Sequence, residues 1–262
     1  MLFRSIMKEL EENNMRYLGF STRDYLILEN LRLGKNLSIL EIGCGLGSII
    51  DMVVGKVKEY YGVDIAFEVI NYLNLLYKDN DSVNLYCLDV CKNSSFLNKK
   101  FDVIFSTDTL EHVESPQGYF NFIKKHLKSD GVALITYPNE SKDKHHGITW
   151  FNYKQDLLEI IDREDFKVDA LVEVKKTLWH SFIKKFLWKF PKLIISRQKG
   201  SPQTFEQTEA FKIAKSTGIR TNVFTFYATA VTKLAAIFPL YRYVDIGENI
   251  TNKNLFIHLK HK

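Results

Sequence analysis

Cysteine is scarce in this chain. Cys44, Cys87 and Cys91 are three among 262 residues, an odd number without the paired spacing of a metal site, and they read as reduced thiols in cytosol. No internal repeat and no low-complexity tract appears, so the chain does not read as a repeat array. The opening MLFRSIMKELEENN is charged within its first few residues and never becomes an unbroken apolar run, so no secretory signal is expected. A later apolar segment, Val223 to Tyr241, carries Lys233 near its middle, three threonines and Pro239. Those residues argue against a membrane span and for a buried helix. The chain is 45% hydrophobic and 26% charged, enough to bury one large core or a core plus an elaboration.

The most informative stretch is ILEIGCGLGS, Ile39 to Ser48. It joins an apolar strand to a glycine loop and then a helix, with Glu41 inside the strand end. Gly43, Gly45 and Gly47 occupy alternate positions, which lets the chain turn tightly and bring bare backbone against a ligand. A dinucleotide fingerprint needs its third glycine at position 48, which is Ser48, and a triphosphate loop needs a Gly-Lys-Ser/Thr ending that is absent. A glycine-rich turn that merely packs a helix on a sheet is the remaining alternative at this point.

Downstream features extend the pattern. YYGVD ends an apolar run at Asp64, 21 residues after Gly43, where a second strand presents a carboxylate able to accept two hydrogen bonds from vicinal ribose hydroxyls. A helical run from Glu68 to Lys78 leads to NLYCLDV, with Asp89 at a third strand end. FDVIFST reads as a fourth strand followed by DTLEHV, then a helix from Gln117 to Leu127, the turn SDG and a fifth strand, VALITYP.

The ExGxGxG loop resembles that of class I S-adenosylmethionine-dependent methyltransferases. FDVIFSTDTLEHV followed by LKSDGVALITYPN is similar to the subgroup containing ubiquinone-biosynthesis O-methyltransferases and small-molecule or glycan methyltransferases. The resemblance implies an α/β, Rossmann-like fold: a seven-stranded, mostly parallel sheet with an antiparallel last strand, helices on both faces and a helical insertion before the last strand. It implies S-adenosyl-L-methionine as cofactor and S-adenosyl-L-homocysteine as product. Cofactor contacts are expected from Glu41, Gly43, Cys44, Gly45 and Gly47, from Asp64 and Ile65, from Asp89 and Val90, and from Thr107 and Asp108. Tyr17 and Arg23 could meet the cofactor carboxylate, but a surface or packing role is the preferred expectation for both.

One methyltransferase domain is expected over 1–262: an N-terminal helical cap at 1–35, a cofactor core at 36–176, a basic and largely helical insertion at 177–250, and the last strand at 251–262. KVDALVEVK fits the sixth strand. NLFIHLKHK fits the last, with Leu255, Ile257 and Leu259 on one face and Phe256 with the charged residues on the other. From Thr177 to Asn222, nine basic residues stand against Glu206 and Glu209, a local +7 in a chain of net +5. Trp179, Phe182, Ile183, Phe186, Leu187 and Phe190 recur at helical steps there, and Pro191 ends the run. The segment is expected to act as a lid or acceptor wall, with an alternative as a basic amphipathic helix at an anionic membrane surface. The partner is expected to be a small-molecule or glycan acceptor of acidic character, and the location cytoplasmic or peripheral to the inner membrane face.

For a hydroxyl acceptor a general base is needed. His146 and His112 are the expected catalytic residues, since both fall in loops after parallel strands and histidine titrates near neutrality. Glu111 could orient His112 or a backbone amide. No metal is expected: His145 and His146 are adjacent, but Asp143 is the lone acid beside them. The position after the fourth strand reads STDT, without the Asn/Asp-Pro-Pro-aromatic motif of amide and adenine methylation, so DNA is not expected as substrate and RNA is a minority reading.

Overall fold

The computed structural model describes residues 22–92, 98–140, 147–183 and 237–262. The candidate base His146, its neighbour His145, and the basic residues from Lys184 to Arg220 lie outside them. So do Tyr17 and most of the expected N-terminal cap.

Eight strands are described: β1 (Ser38–Ile42), β2 (Glu59–Asp64), β3 (Val83–Cys87), β4 (Phe101–Thr107), β5 (Leu127–Asn139), β6 (Phe166–Lys176), β7 (Tyr241–Asp245) and β8 (Lys253–His261). They form one sheet in the order β3-β2-β1-β4-β5-β8-β6-β7. β1 pairs in parallel with β2 and β4, and so do β2 with β3 and β4 with β5. β8 runs antiparallel to both β5 and β6. The mostly parallel sheet with its reversed last strand is therefore as expected. The count differs by one, because Tyr241–Asp245 adds an edge strand inside the stretch expected to be largely helical. Pro239 cannot continue a helix, and the β-favouring Tyr-Arg-Tyr-Val that follows takes the sheet edge.

β5 also differs. The expected turn at Ser129–Gly131 is absorbed into a strand that starts at Leu127, where the pairing with β4 slips: Phe101 faces Leu127 and Val103 faces Val132. Extra residues on one side of a ladder are the signature of a bulge.

Helices α1 (Thr22–Asn30), α2 (Ile50–Val53), α3 (Phe67–Leu76), α4 (Pro116–His126), α5 (Lys154–Arg163) and α6 (Leu178–Ile183) complete the described elements. α4 is capped by Ser115, whose side chain accepts from Gly118 N, and it opens with Pro116 at the position where a missing N–H costs nothing. One core joins Leu40, Ile42 and Ile104 of the sheet to Phe120 and Ile123 of α4 and Leu157 and Ile161 of α5. Ile27 of α1 and Leu73 of α3 are fully buried outside that cluster, so apolar surface is covered on both faces. Phe256 on β8, expected on a solvated face, is 3% exposed, because a strand flanked by two neighbours inside such a sheet has no wet side.

The chain divides into a larger unit, Gly19–Lys175 with Tyr243–Lys262, and a smaller one, Met1–Leu18 with Lys176–Arg242. Within the smaller unit, Thr177 N donates to Leu240 O at 3.0 Å, the Thr177 hydroxyl donates to Pro239 O at 2.7 Å, and Trp179 lies over Phe238 with ring centroids 4.3 Å apart.

Candidate functional site

In an open parallel sheet, ligands bind beyond the carboxyl ends of the strands, where successive crossovers leave in opposite directions. Here that point lies between β1 and β4. The loop after β1 and the turn after β4 meet there, and the glycines explain how.

Gly43 has φ +73°, and a Cβ on it would stand 2.2 Å from Thr109 Oγ1. Thr109 in turn places its hydroxyl 3.2 Å from the carbonyls of Ile42 and Thr107, so the β4 turn is seated on the bare backbone of Gly43. Gly47, φ +77°, makes room for Ile50 and Leu73. Gly45 differs from both: its φ is +47° and nothing lies within 4 Å of where its Cβ would be. The first and third glycines serve packing. The second presents backbone to open space.

Asp64 sits at the end of β2, as the sequence implied. Its Oδ2 accepts from Gly45 N and its Oδ1 from Ala66 N, both at 2.9 Å. A carboxylate offers about four acceptor sites, so about two remain. The loop is further pinned by Gly43 N and Cys44 N, which both donate to Val63 O. Ile65 is 70% exposed beside it.

Other expected cofactor residues sit deeper in the fold. Glu41 does not face outward: it is 2% exposed, and the buried Tyr60 hydroxyl donates to it. Burial pushes the Glu41 carboxyl well above the usual range, and that hydrogen bond opposes the rise. Glu41 therefore supports the loop from beneath. Val90 is a core residue, 7% exposed, and β3 ends at Cys87, two residues before Asp89. Asp89 shapes the turn that follows, accepting from Cys91 N at 3.0 Å and pairing with Lys92 at 3.1 Å. Cys44 is buried, which raises its thiol pKa and suits it to filling a gap between glycines rather than attacking anything.

The β4 end is built from side chains. Thr107 is the last strand residue, and its hydroxyl is buried without a hydrogen-bond partner. Asp108 has φ +49°, a left-handed conformation that costs most non-glycine residues about 1–2 kcal/mol. The strain is held by Thr136: Asp108 N lies 3.2 Å from both its carbonyl and its hydroxyl, and that hydroxyl is 3.1 Å from Asp108 Oδ1. Arg23, for which packing was the preferred expectation, has Nη1 2.6 Å from Asp108 Oδ2. Neither Arg23 nor Thr136 carries a motif of its own, and only the α1 and β5 positions bring them here.

Glu111 follows in a single helical turn, Leu110–His112. It is 4% exposed, and its Oε2 has no hydrogen-bond partner. Burial pushes its carboxyl up to about 8, with Asp108 and Glu140 adding repulsion and Arg23 opposing them. Its backbone carbonyl accepts from Ile148 N and Thr149 N at 2.7 and 3.0 Å. His112 turns the other way, 55% exposed, with Nε2 3.8 Å from Glu111 Oε1. His112 is thus exposed on the turn, while Glu111 is buried beneath it.

A glycine loop on β1, a carboxylate closing β2 and a polar turn on β4 define a methyltransferase-type domain. The family described as methyltransferase domain matches residues 13–170, and the chain belongs to it. It is similar to a ubiquinone biosynthesis O-methyltransferase of Glaesserella parasuis serovar 5 (strain SH0165), 24% identical over 164 residues that span 51% of this chain and 66% of that one. Among solved structures it is similar to the cyclase SpnF, with TM-score 0.54 and 14% identity, covering 90% of this chain and 78% of that chain. It is also similar to phosphoethanolamine N-methyltransferase 2 of Haemonchus contortus in complex with phosphomonomethylethanolamine and S-adenosylhomocysteine, with TM-score 0.54 and 17% identity, covering 92% of this chain and 53% of that chain. The chain matches just under two thirds of that O-methyltransferase. At these identities the solved structures show the fold.

Proposed function

We propose that this chain transfers the methyl group of S-adenosylmethionine to an oxygen of a small-molecule, glycan or lipid-linked acceptor bearing an acidic group. The supporting observation is Gly45, whose left-handed, open backbone stands beside a carboxylate with acceptor sites to spare. That cradle fits an adenosyl compound. Gly45 would approach it closely, Asp64 would accept from the ribose hydroxyls, and Ile65 and Asp89 would border the base. Bound there, the cofactor supplies an activated sulfonium methyl, and the chain's own task is alignment and exclusion of water. His112, exposed on the β4 turn, is the proposed proton acceptor for a hydroxyl, with His146 as a second candidate outside the described residues. The acidic character of the acceptor rests on the +7 charge of residues 177–222.

N-methylation is the second reading. It is favoured by relatives that are N-methyltransferases by name, of phosphoethanolamine and of (S)-coclaurine.

Calorimetric titration with S-adenosylmethionine tests the shared donor. Saturable heat is expected, and Asp64→Ala should weaken binding by about 1.5–3 kcal/mol for each charge-assisted hydrogen bond lost. Silence with S-adenosylmethionine and saturable heat with NAD would reverse the assignment.

A further inference from the structure

Apart from the glycine loop and the β4 turn, the smaller unit carries an exposed apolar surface of its own. In α6, Leu178 is 91% exposed, Trp179 42% and Phe182 53%, and Ile237 is 69% exposed on the neighbouring segment. Trp179 joins the two segments: it makes an edge contact with Phe182 at 5.9 Å and lies against Phe238 at 4.3 Å. Leu178 and Phe182, four residues apart, share one side of the helix, while His180 is 3% exposed on the opposite side. Exposed apolar side chains linked through Trp179 mark a contact surface.

Among the described residues of the smaller unit the charges have one sign. Between Lys176 and Ile183, and between Ile237 and Arg242, there is no Asp or Glu, while Lys176 and Arg242 are both exposed. Outside the described residues, the sequence from Lys184 to Arg220 holds nine cations against Glu206 and Glu209. Tryptophan, phenylalanine and leucine next to lysine and arginine match the boundary of a lipid bilayer: the apolar groups enter the acyl margin and the cations meet anionic headgroups. No helix among the described residues is long and apolar enough to cross a membrane.

We propose that the Leu178–Trp179–Phe182 face, with Ile237, docks the protein on an anionic membrane surface. The contact is independent of the donor chemistry at the glycine loop.

Cosedimentation of the full chain with vesicles tests it. The protein should pellet with vesicles of mixed phosphatidylcholine and phosphatidylglycerol, should pellet much less with phosphatidylcholine alone, and should be released from the first by high salt. Leu178→Ser combined with Phe182→Ser should weaken binding at least about tenfold, because two exposed apolar anchors are removed at little cost to folding. Equal binding to both vesicle types, no binding to either, or binding untouched by the double substitution would overturn the proposal. So would light scattering that shows a dimer dispersed by the same substitutions, since the face would then meet a second copy. Titration with S-adenosylmethionine on the same samples separates the two readings: intact cofactor binding with no vesicle binding removes the membrane contact alone, and the reverse removes only the methyl donor.

Discussion

The two halves of the site are built from different materials. On the β1 and β2 side, recognition rests on backbone: three left-handed glycines, amides turned on Val63 O and Asp64, and a buried Glu41–Tyr60 pair underneath. On the β4 side it rests on side chains: Asp108 strained against Thr136 and Arg23, Glu111 buried with an unpartnered oxygen, His112 turned outward. The first design suits a ligand of constant shape. The second can change its chemistry by single substitutions, which fits a family whose relatives act through both oxygen and nitrogen acceptors by name.

The sharpest way to break this comparison is Gly43→Ala. The added Cβ meets Thr109 at 2.2 Å and the residue must keep φ +73°, so the seam joining the halves should fail. Denaturant unfolding should show a loss of about 2–5 kcal/mol, from left-handed strain of about 1–2 and overpacking of about 1–3. S-adenosylmethionine binding should fall with it. A protein as stable as the parent would mean that the turn is not seated on the loop.

Glu111 sharpens the contrast through pH. Below the ordinary carboxylate range both folded and unfolded chains carry its proton. Above that range the unfolded chain releases the proton while the folded one keeps it, so the stability contributed by the neutral acid is present at low pH and is lost as pH rises through about 8. Unfolding measured from pH 5 to 8 should therefore show the parent losing up to about 1.4 kcal/mol per pH unit relative to Glu111→Gln. Parallel curves would place the carboxyl in water.

The smallest effect on stability is expected at Gly45→Ala. Nothing stands near the new methyl, so about 1–2 kcal/mol of left-handed strain is the whole cost. Cofactor affinity should nevertheless drop, because the methyl fills the space kept for the ligand. A large affinity loss at Gly45 beside a large stability loss at Gly43 would separate the recognising glycine from the packing one.

The backbone-built half was legible in the sequence because its physics is local. Alternate glycines and a carboxylate 21 residues on are written in order along the chain. Even so, the pattern did not reveal that Glu41 points inward or that Val90 belongs to the core, since both depend on what covers the strand ends. On the other half, DTLEHV marked the turn, but the Arg23–Asp108 pair and the Thr136 clamp join residues 85 and 28 positions apart, and no periodicity encodes such meetings. Tyr241–Asp245 was hidden by the apolar run before it. Phe256 was placed on the wet side because alternation alone cannot tell an outer strand from an inner one.

The place of β8 has an evolutionary consequence. Asn139 donates to Phe151 O and to Ile250 O and accepts from Phe151 N and Tyr137, fastening chain segments 111 residues apart just where β8 enters between β5 and β6. Closing a loop costs free energy that rises only logarithmically with its length, about 0.6 kcal/mol per doubling. Whatever lies between β6 and β8 can therefore lengthen, shorten or be exchanged almost freely, as long as that clasp and the strand behind it survive. The stretch of gene between them can be edited with the glycine loop and its carboxylate left alone.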